Sequence, residues 1–280
     1  MDNSVFWVYL GKECDYRCLF CPHMASYDKQ LGFEKNIIED KSNSLEILEI
    51  SGKNPINSSK FLKFLNDSYD RFKSIIILTP GYVLLDSKLL DELEKYKEKL
   101  LFKITVLSHR RDVHDTLTHS RDSWLKDCKA LMILNRKGFK VMVNTILTKI
   151  NYCYIKDMPF FIKTLGFSEW EISYPKPLGK AKDNIEMLMP STEMTLPFLE
   201  DAIYFASKNN INIYFRDIPF CILKRISPKN FTIQFSDNNN LFEKSILCKD
   251  CLKNNECKGF FKKYFEMFDI KAKDILKPLS

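Results

Sequence analysis

The chain has 280 residues, 45% of them hydrophobic and 28% charged, so it is long enough to bury a sizeable core. Its longest purely aliphatic run covers residues 75–78, which excludes a membrane span of about 20 residues, and no signal-peptide pattern opens the chain. We therefore expect a cytoplasmic globular protein without a membrane partner. The net charge of +7 is spread over 43 basic and 36 acidic residues, a balance that a solvated surface explains better than nucleic-acid binding.

Short apolar runs alternate with amphipathic stretches, a pattern that predicts β-α units and a parallel sheet. Helical spacing of apolar residues follows the cap candidates Ser58 and Ser59 and recurs after Asp86, and a third helix is predicted to end near Gly138. Right-handed crossovers then predict a partial (β/α)6 TIM-like barrel over residues 1–215, followed by a small domain at residues 216–280. We predict seven strands, at residues 5–10, 45–50, 74–78, 102–107, 139–147, 170–174 and 211–215.

The first predicted strand is followed directly by Cys14, Cys18 and Cys21, with the spacing Cys-x3-Cys-x2-Cys. Three thiols in this segment (residues 12–23, the cysteine loop) can hold one small cluster. They are one ligand short of closing a four-iron cluster, so one iron is open to another ligand. Lys12 and Arg17 flank the thiols, and we expect them to favour the thiolate forms. A structural zinc site completed by His23 is the alternative, although zinc modules usually pair two half-sites.

The other polar or glycine-bearing turns also follow predicted strands. In a parallel barrel the carboxyl ends of the strands lie at one face, where binding groups collect. We therefore expect these turns to surround the cysteine loop and to form a site with it. They are Gly52-Lys53-Asn54-Pro55, Thr79-Pro80-Gly81, Ser108, Pro177-Leu178-Gly179 and Asp217-Ile218-Pro219-Phe220-Cys221.

These motifs resemble those of the radical S-adenosylmethionine (SAM) enzymes. The family's Cys-x3-Cys-aromatic-Cys pattern is met by Cys14, Cys18, Phe20 and Cys21. The resemblance implies that the three thiolates hold a 4Fe-4S cluster whose fourth iron is chelated by the amino and carboxylate groups of SAM. It further implies that an electron splits SAM into methionine and a 5'-deoxyadenosyl radical, which abstracts a substrate hydrogen.

Further segments resemble conserved turns of the family. Gly52-Lys53-Asn54-Pro55 is similar to the Gly-Gly-Glu-Pro turn, with an amide at Asn54 where the family has a carboxylate for the methionyl amino group. The segment from Ser108 to Asp115 is similar to the Ser-Leu-Asp-Gly and Glu-x-His-Asp motifs. Asn144 and Pro177-x-Gly179-x-Ala181 resemble the subgroup that modifies peptides and natural products. The SAM contacts implied by this resemblance are Phe20, Gly52, Lys53, Asn54, Ser108 and Asn144.

A second cysteine group, Cys248-x2-Cys251-x5-Cys257-x-Gly259, resembles the auxiliary-cluster extension called SPASM in its long form and Twitch in its short form. No cysteine follows Cys257, so the short form with one cluster fits better. The resemblance makes Cys221 the fourth ligand of an auxiliary 4Fe-4S cluster. Four thiolates close a cluster, which then transfers electrons or stabilises the fold. A four-cysteine zinc ribbon is the alternative, because one Cys-x2-Cys half-site is common to both metals.

The function implied by this pair of clusters is an oxidative modification of a peptide or a peptide-derived natural product, by crosslinking, thioether formation or dehydrogenation. An electron donor such as flavodoxin or ferredoxin is implied as a partner. Two other reactions stay open. One is dehydrogenation of a small polar molecule such as a sugar or aminocyclitol; the other is a redox-neutral epimerisation, for which Cys153 is the spare thiol. A zinc or Fe-S module that binds nucleic acid without catalysis is the alternative from another class.

Overall fold

The computed structural model describes residues 5–23, 45–224, 231–236, 239–276 and 279. Its main sheet consists of β1 (Val5–Tyr9), β2 (Leu45–Ser51), β3 (Phe72–Leu78), β4 (Leu100–Thr105), β5 (Lys140–Ile146), β6 (Glu169–Ser173), β7 (Asn212–Arg216) and β8 (Phe231–Gln234). All eight strands are parallel, and each is hydrogen-bonded to the next one along the chain. The order runs from β1 at one end to β8 at the other, so the sheet is a curled, open barrel.

Seven of these strands lie where the apolar runs predict them, with ends that differ by one or two residues. The eighth strand is not predicted, so the expected partial (β/α)6 barrel with seven strands is corrected to a sheet of eight strands. The sequence of β8 is only Phe-Thr-Ile-Gln, which is too short for a periodic pattern to stand out. This strand pairs with β7 along Ile213 to Arg216, and it lies beyond residue 215, where the sequence predicts the barrel to end.

The helices are α1 (Phe61–Ser68), α2 (Ser87–Glu94), α3 (Arg111–Thr118), α4 (Ser123–Lys137), α5 (Met158–Thr164), α6 (Gly179–Asp183), α7 (Ile185–Leu188), α8 (Thr192–Lys208), α9 (Phe220–Leu223), α10 (Lys262–Phe268) and α11 (Ala272–Ile275). The Asp86 side chain accepts hydrogen bonds from two backbone N–H groups at the start of α2, and Gly138 ends α4 with a φ of 67°. The hydroxyl of Ser58 instead accepts a hydrogen bond from the backbone N–H of Lys60, in the turn before α1. No side chain caps α1 itself. Among the described residues, no helix has the length and apolarity needed to span a bilayer.

Four charged side chains form a layer inside the barrel: Glu49 on β2, Lys103 on β4, Glu171 on β6 and Arg216 on β7. The Nζ atom of Lys103 lies 3.0 Å from Glu171 and 3.5 Å from Glu49. The Arg216 guanidinium lies 3.0 Å from an oxygen of each carboxylate. Because strands that are not neighbours meet in these contacts, the four side chains point to the concave side of the sheet. This charged layer balances two positive with two negative charges away from water.

The charged layer should make the protein sensitive to acid. Burial raises the pKa of Glu49, but Arg216 and Lys103 outweigh this effect and lower that pKa from 4.5 to about 2. The folded pKa is below the unfolded one, so this stabilisation is present above pH 4.5 and is lost as the pH falls toward 2. As the pH falls from about 5 to about 3, the free energy of unfolding should therefore decrease less in Glu49→Gln than in wild type. Urea unfolding at each pH measures this difference.

A matched control for this acid experiment lies on the same strand. Glu46 is partly exposed and pairs with Lys73 at the protein surface, so Glu46→Gln removes one carboxylate without touching the charged layer. We expect this variant to lose stability with falling pH as wild type does. Equal pH dependence in wild type and Glu49→Gln would contradict the role given to Glu49.

The C-terminal part of the chain packs against the barrel through aromatic side chains. Strand β9 (Phe242–Glu243) pairs antiparallel with β10 (Phe260–Phe261). Gly259 precedes β10 with a φ of 86°, and a Cβ atom there would lie 1.9 Å from the carbonyl oxygen of Glu243. Tyr264 is fully buried, and its hydroxyl oxygen accepts a 2.8 Å hydrogen bond from the backbone N–H of Thr192. These contacts fix the segment that follows the second cysteine group against the start of α8.

Candidate functional site

A cavity of about 710 Å³ opens at the carboxyl ends of the first five strands. All three cysteines of the cysteine loop line it, together with residues that follow β2 and β3 or end β4 and β5. This is the face at which parallel barrels place their binding groups. Of the cluster ligands and SAM contacts that the sequence predicts, the structure brings seven to this cavity: Cys14, Cys18, Cys21, Phe20, Gly52, Lys53 and Asn144.

Two glycines bring the cysteine loop and the turn after β2 into contact. Gly11 has a φ of 79°, and a Cβ atom there would lie 2.0 Å from the carbonyl oxygen of Asn54. Gly52 has a φ of 144°, and a Cβ atom there would lie 1.7 Å from the carbonyl oxygen of Leu10. The N–H of Leu10 also donates a 2.7 Å hydrogen bond to the carbonyl of Ser51. Any side chain at either glycine would force the two segments apart.

The rest of the cysteine loop lies against the ends of two helices. The N–H of Arg17 donates to the carbonyl of Thr118, the last residue of α3, at 3.1 Å. On the other side, the N–H of Ala181 in α6 donates to the carbonyl of Cys21 at 3.1 Å, and Lys180 Nζ donates to the carbonyl of Arg17 at 2.7 Å. The loop is therefore held by its backbone rather than by its cysteine side chains.

The three thiols of the cysteine loop are poor acids in the protein. Burial is the main cause that raises the pKa of each thiol above the ordinary value of 9.0. The pKa of Cys18 is raised well above that value, first by burial and then by the electrostatic effect of the neighbouring Cys21 and Cys14. The thiols must lose protons to bind metal, so cluster assembly at this loop releases protons.

The cations that act on Cys21 differ from those that the sequence suggests. Lys12 and Arg17 flank the cysteines in sequence, and we expected them to favour thiolates. Against the effect of burial, the side chains that lower the pKa of Cys21 are Lys53, from the turn after β2, and Lys180, from α6. The folding of distant segments onto the loop therefore supplies the positive charge at this thiol.

His23 also lines the cavity, with its Nε2 atom 3.5 Å from the hydroxyl of Ser51. Burial, followed by the charges of Lys176 and Lys53, lowers its pKa from 6.5 to about 4. The imidazole is therefore neutral at neutral pH, the form in which histidine binds metals. In the part of the chain that the structure describes, no three His, Cys, Asp or Glu side chains converge closely enough to hold a single metal ion.

Two of the expected SAM contacts, Asn54 and Ser108, are fully buried and do not line the cavity. The Nδ2 group of Asn54 donates to the hydroxyl of Tyr82 at 3.0 Å, and its Oδ1 atom accepts from the hydroxyl of Thr79 at 3.2 Å. The hydroxyl of Ser108 accepts from the backbone N–H of Arg110 at 3.1 Å. Asn54 therefore ties the turns after β2 and β3 together, and Ser108 stabilises the turn before α3.

Several residues of the cavity wall are not predicted from the sequence. Thr105 ends β4, and its hydroxyl accepts a 3.1 Å hydrogen bond from Asn144 Nδ2. Its place at the carboxyl end of a predicted strand could have identified it. Tyr16 and Asp127 also line the cavity and are hydrogen-bonded to each other at 2.8 Å. Asp127 lies within α4, where a single acidic residue usually indicates the solvated face of a helix.

The second cysteine group converges with the turn after β7. One small recess, of about 20 Å³, is lined by Cys221, Cys248, Cys251 and Cys257. Backbone N–H groups of Gly259 and Leu279 donate to the sulfur atoms of Cys257 and Cys251, each at 3.4 Å. Hydrogen bonds to sulfur are one of the means by which proteins tune thiolate-bound clusters. A four-iron cluster is larger than the recess, so the lining side chains would have to rearrange to bind one.

No protein-family model matches the chain. Over 180 residues it is 25% identical to the antilisterial bacteriocin subtilosin biosynthesis protein AlbA of Bacillus subtilis (strain 168), a match that covers 62% of this chain and 40% of that protein. Over 186 residues it is 22% identical to an S-adenosylmethionine-dependent nucleotide dehydratase of Selenomonas ruminantium. This match covers 59% of this chain and 63% of that protein. The chain thus spans less than two thirds of the length of these relatives.

Solved structures share the fold of the chain. SuiB of Streptococcus suis, bound to the precursor peptide SuiA, superposes with a TM-score of 0.60 at 16% identity, over 98% of this chain and 56% of that one. The radical SAM enzyme HemN, the coproporphyrinogen III oxidase of Escherichia coli, superposes with a TM-score of 0.52 at 15% identity, over 74% of this chain and 53% of that one. Together, these relatives and the shared fold support the resemblance to the radical SAM superfamily that the cysteine loop indicates.

Proposed function

We propose that this protein is a radical SAM enzyme that holds a 4Fe-4S cluster on Cys14, Cys18 and Cys21, cleaves SAM reductively and abstracts a hydrogen atom from its substrate. The observation that carries the proposal is the cysteine loop, whose three thiols line a cavity of about 710 Å³ at the carboxyl ends of the strands. The donor set fits the group, because three thiols leave one iron of such a cluster open to SAM. The cavity also has a volume typical of small-molecule sites.

The residues around the cavity would position the reacting groups and exclude water from them. When bound there, the cluster and SAM supply the radical chemistry. Lys53 and Lys180 offset negative charge at the Cys21 thiol. Asn144 and Thr105 offer a polar pair to a ribose or to an amino-acid group, and Phe20 adds an apolar ring to the cavity wall. Such a cavity keeps a reactive intermediate away from water.

We propose a peptide or a peptide-derived natural product as the substrate, with an oxidative modification as the outcome. AlbA, whose name assigns it to the biosynthesis of subtilosin, supports this choice, and so does SuiB, whose structure contains the precursor peptide SuiA. The chain matches 40% of AlbA and 56% of the SuiB chain, so the support concerns the shared part of each. Product analysis must decide among a crosslink, a thioether and a dehydrogenation.

We further propose that Cys221, Cys248, Cys251 and Cys257 hold an auxiliary 4Fe-4S cluster that accepts an electron during the reaction. Two observations support this proposal: four thiols from two distant segments line one recess, and backbone N–H groups point at two of the sulfur atoms. Because four thiolates close such a cluster, it can transfer an electron without binding the substrate. Zinc on the same four thiols is the alternative.

Metal analysis tests both assignments at once. If both cysteine groups hold clusters, anaerobically reconstituted protein should contain about eight irons per chain. It should also show the charge-transfer absorbance of such clusters at about 400 nm. The triple variant Cys14→Ala, Cys18→Ala, Cys21→Ala should keep about four irons, because the second cysteine group is untouched. Stoichiometric zinc without that absorbance would contradict the cluster assignments and favour a zinc module.

The variant Cys251→Ala tests the proposed role of the auxiliary cluster. Hydrogen abstraction precedes the step that needs an electron acceptor, so this variant should still cleave SAM to 5'-deoxyadenosine while it forms no modified product. Loss of a closed cluster can unfold the segment that it stabilises, so circular dichroism and the iron content of the first site must be measured on the same sample. Wild-type yields of modified product from Cys251→Ala would contradict the role of electron acceptor.

Solvent isotope labelling separates the oxidative outcome from an epimerisation. An oxidised product should be two hydrogens lighter than its substrate, carry no solvent deuterium and still be formed by Cys153→Ala. An epimerised product would have an unchanged composition, carry one solvent deuteron and need a thiol donor. Cys153 is half-buried and lies outside the cavity wall, so nothing in the described structure favours it as that donor.

The nucleotide dehydratase relative favours a second candidate function, the modification of a small polar molecule. That relative matches 59% of this chain, about as much as AlbA does, and its name assigns it a nucleotide substrate. Mass spectrometry after incubation with SAM, a reductant and either nucleotides or candidate peptides distinguishes the two. Conversion of a nucleotide but of no peptide would favour this second candidate.

A further inference from the structure

Asp127, a buried carboxylate of α4, contacts three segments that surround the cavity. Its side chain is nearly inaccessible to solvent, although its residue lines the cavity wall. The Oδ1 atom accepts a 2.8 Å hydrogen bond from the hydroxyl of Tyr16 and a 2.9 Å hydrogen bond from the backbone N–H of Gly81. The Oδ2 atom lies 3.3 Å from Nε2 of His114. One carboxylate therefore joins the cysteine loop, the turn after β3 and helix α3.

The hydrogen bonds that Asp127 accepts fall on one of its oxygen atoms. The hydroxyl of Tyr16 and the backbone N–H of Gly81 both donate to Oδ1. The Oδ2 atom faces Nε2 of His114 at 3.3 Å, a charge contact without hydrogen-bond geometry. The backbone N–H of Leu107 donates to Nδ1 of His114 at 3.3 Å, so the imidazole hydrogen lies on Nε2. An amide at position 127 that keeps its oxygen toward Tyr16 and Gly81 would therefore turn its NH2 group toward another N–H, and it would lose the negative charge.

Tyr16 is the part of the cysteine loop that this carboxylate holds. It lies between Cys14 and Cys18 in sequence, and its ring packs against Tyr82 with a centroid distance of 4.9 Å. The hydroxyl of Tyr82 in turn accepts hydrogen bonds from the backbone N–H of Asp15 and from Asn54.

We infer that Asp127 is a positioning residue, which fixes the cysteine loop through Tyr16 in the form that presents its three thiols to the cavity. This inference rests on the proposed function, since it concerns the loop that would hold the first cluster. Asp127 is also an acidic residue that lines the same cavity wall as the three thiols. The residue therefore acts both through hydrogen bonds and through its charge, and two variants can separate these effects.

The first test uses protein without a cluster and measures alkylation of Cys14, Cys18 and Cys21 by iodoacetamide, with peptide mass spectrometry. Asp127→Asn should raise the alkylation rate of Cys18 roughly tenfold, because the loop opens more often when its buried anchor is lost. Tyr16→Phe keeps the ring against Tyr82 and should give a smaller increase. Asp86→Asn is the matched control, since it removes one carboxylate at an exposed helix cap where Asn serves equally well.

The second test uses the reconstituted protein and its electron paramagnetic resonance spectrum during a redox titration. Asp127→Asn removes a negative charge beside the cluster, so the midpoint potential should become more positive, which a purely structural role would not produce. Tyr16→Phe retains that charge and should lower iron occupancy with little change in potential. Asp86→Asn should match wild type in both measurements.

These measurements distinguish failure of the inference from failure of the proposed function. Wild-type alkylation rates and an unchanged midpoint potential in Asp127→Asn would overturn the role of Asp127, whatever the wild-type protein binds. Wild-type protein without iron, together with faster alkylation in Asp127→Asn, would support the anchoring of the loop and overturn the proposed cluster. If circular dichroism shows that Asp127→Asn is unfolded, Tyr16→Phe decides: alkylation at the wild-type rate overturns the inference, and a faster rate supports it.

Discussion

Replacement of Cys18 by alanine should reduce SAM cleavage to background, the largest activity effect that we expect from a single substitution. Cys18 is the central thiol of the cysteine loop, and it packs against the apolar cluster that includes Phe20 and Leu107. Without it, only two thiols remain at a site that needs three to hold a cluster with one open iron. The measurement is the yield of 5'-deoxyadenosine, by liquid chromatography, from anaerobic protein with SAM and dithionite.

The matched control for this experiment is Cys153→Ala. This cysteine is half-buried, as Cys18 is, but it belongs to neither cysteine group and lies in a short helical turn at residues 152–157. We expect the control to cleave SAM at the wild-type rate and to keep its iron. Cleavage by Cys18→Ala at the wild-type rate would show that the first cluster has been assigned to the wrong thiols.

The cysteine loop could be predicted from the sequence because its ligands are close together in the chain. Cys14, Cys18 and Cys21 fall within eight residues, so their spacing alone restricts the geometry of whatever they bind. Seven of the eight strands of the main sheet were predictable for a similar reason, since each lies in a short run of mostly apolar residues. Local patterns of this kind need no knowledge of distant contacts.

Contacts between distant segments could not be predicted in the same way. Asn54 lies in a turn at the expected face, yet its side chain points to Thr79 and Tyr82 instead of the cavity. The sequence does not show which way a polar side chain in a turn is directed, because both directions can satisfy its hydrogen bonds. Asp127 was missed for a related reason, since its partner Tyr16 lies 111 positions away.

The charged layer shows the same limit within predicted strands. Glu49, Lys103 and Glu171 all lie on strands that the sequence predicts. None of the three side chains was expected to be buried. Glu49 and Arg216 are 167 positions apart, and Lys103 and Glu171 are 68 apart. Only the curling of the sheet brings these charges together, and a charged residue in a strand otherwise indicates the solvated face.

Arg216→Met should cause the largest loss of stability among the substitutions considered, about 3–5 kcal/mol in the free energy of unfolding. Removal of this guanidinium leaves two buried carboxylates with Lys103 as their only remaining cation in the charged layer. Urea unfolding gives the measurement, and Lys63→Met, which breaks the exposed pair of Lys63 with Asp67, is the control that should change little.

A double variant tests whether charge balance, rather than packing, causes that loss. Arg216→Met combined with Glu171→Gln leaves Lys103 and Glu49, which lie 3.5 Å apart and compensate each other. The double variant should therefore unfold at a higher urea concentration than Arg216→Met alone, although it carries one substitution more. If the two single losses simply add in the double variant, the buried carboxylate left by Arg216→Met is not the source of the instability, and the loss reflects the packing of the arginine side chain instead.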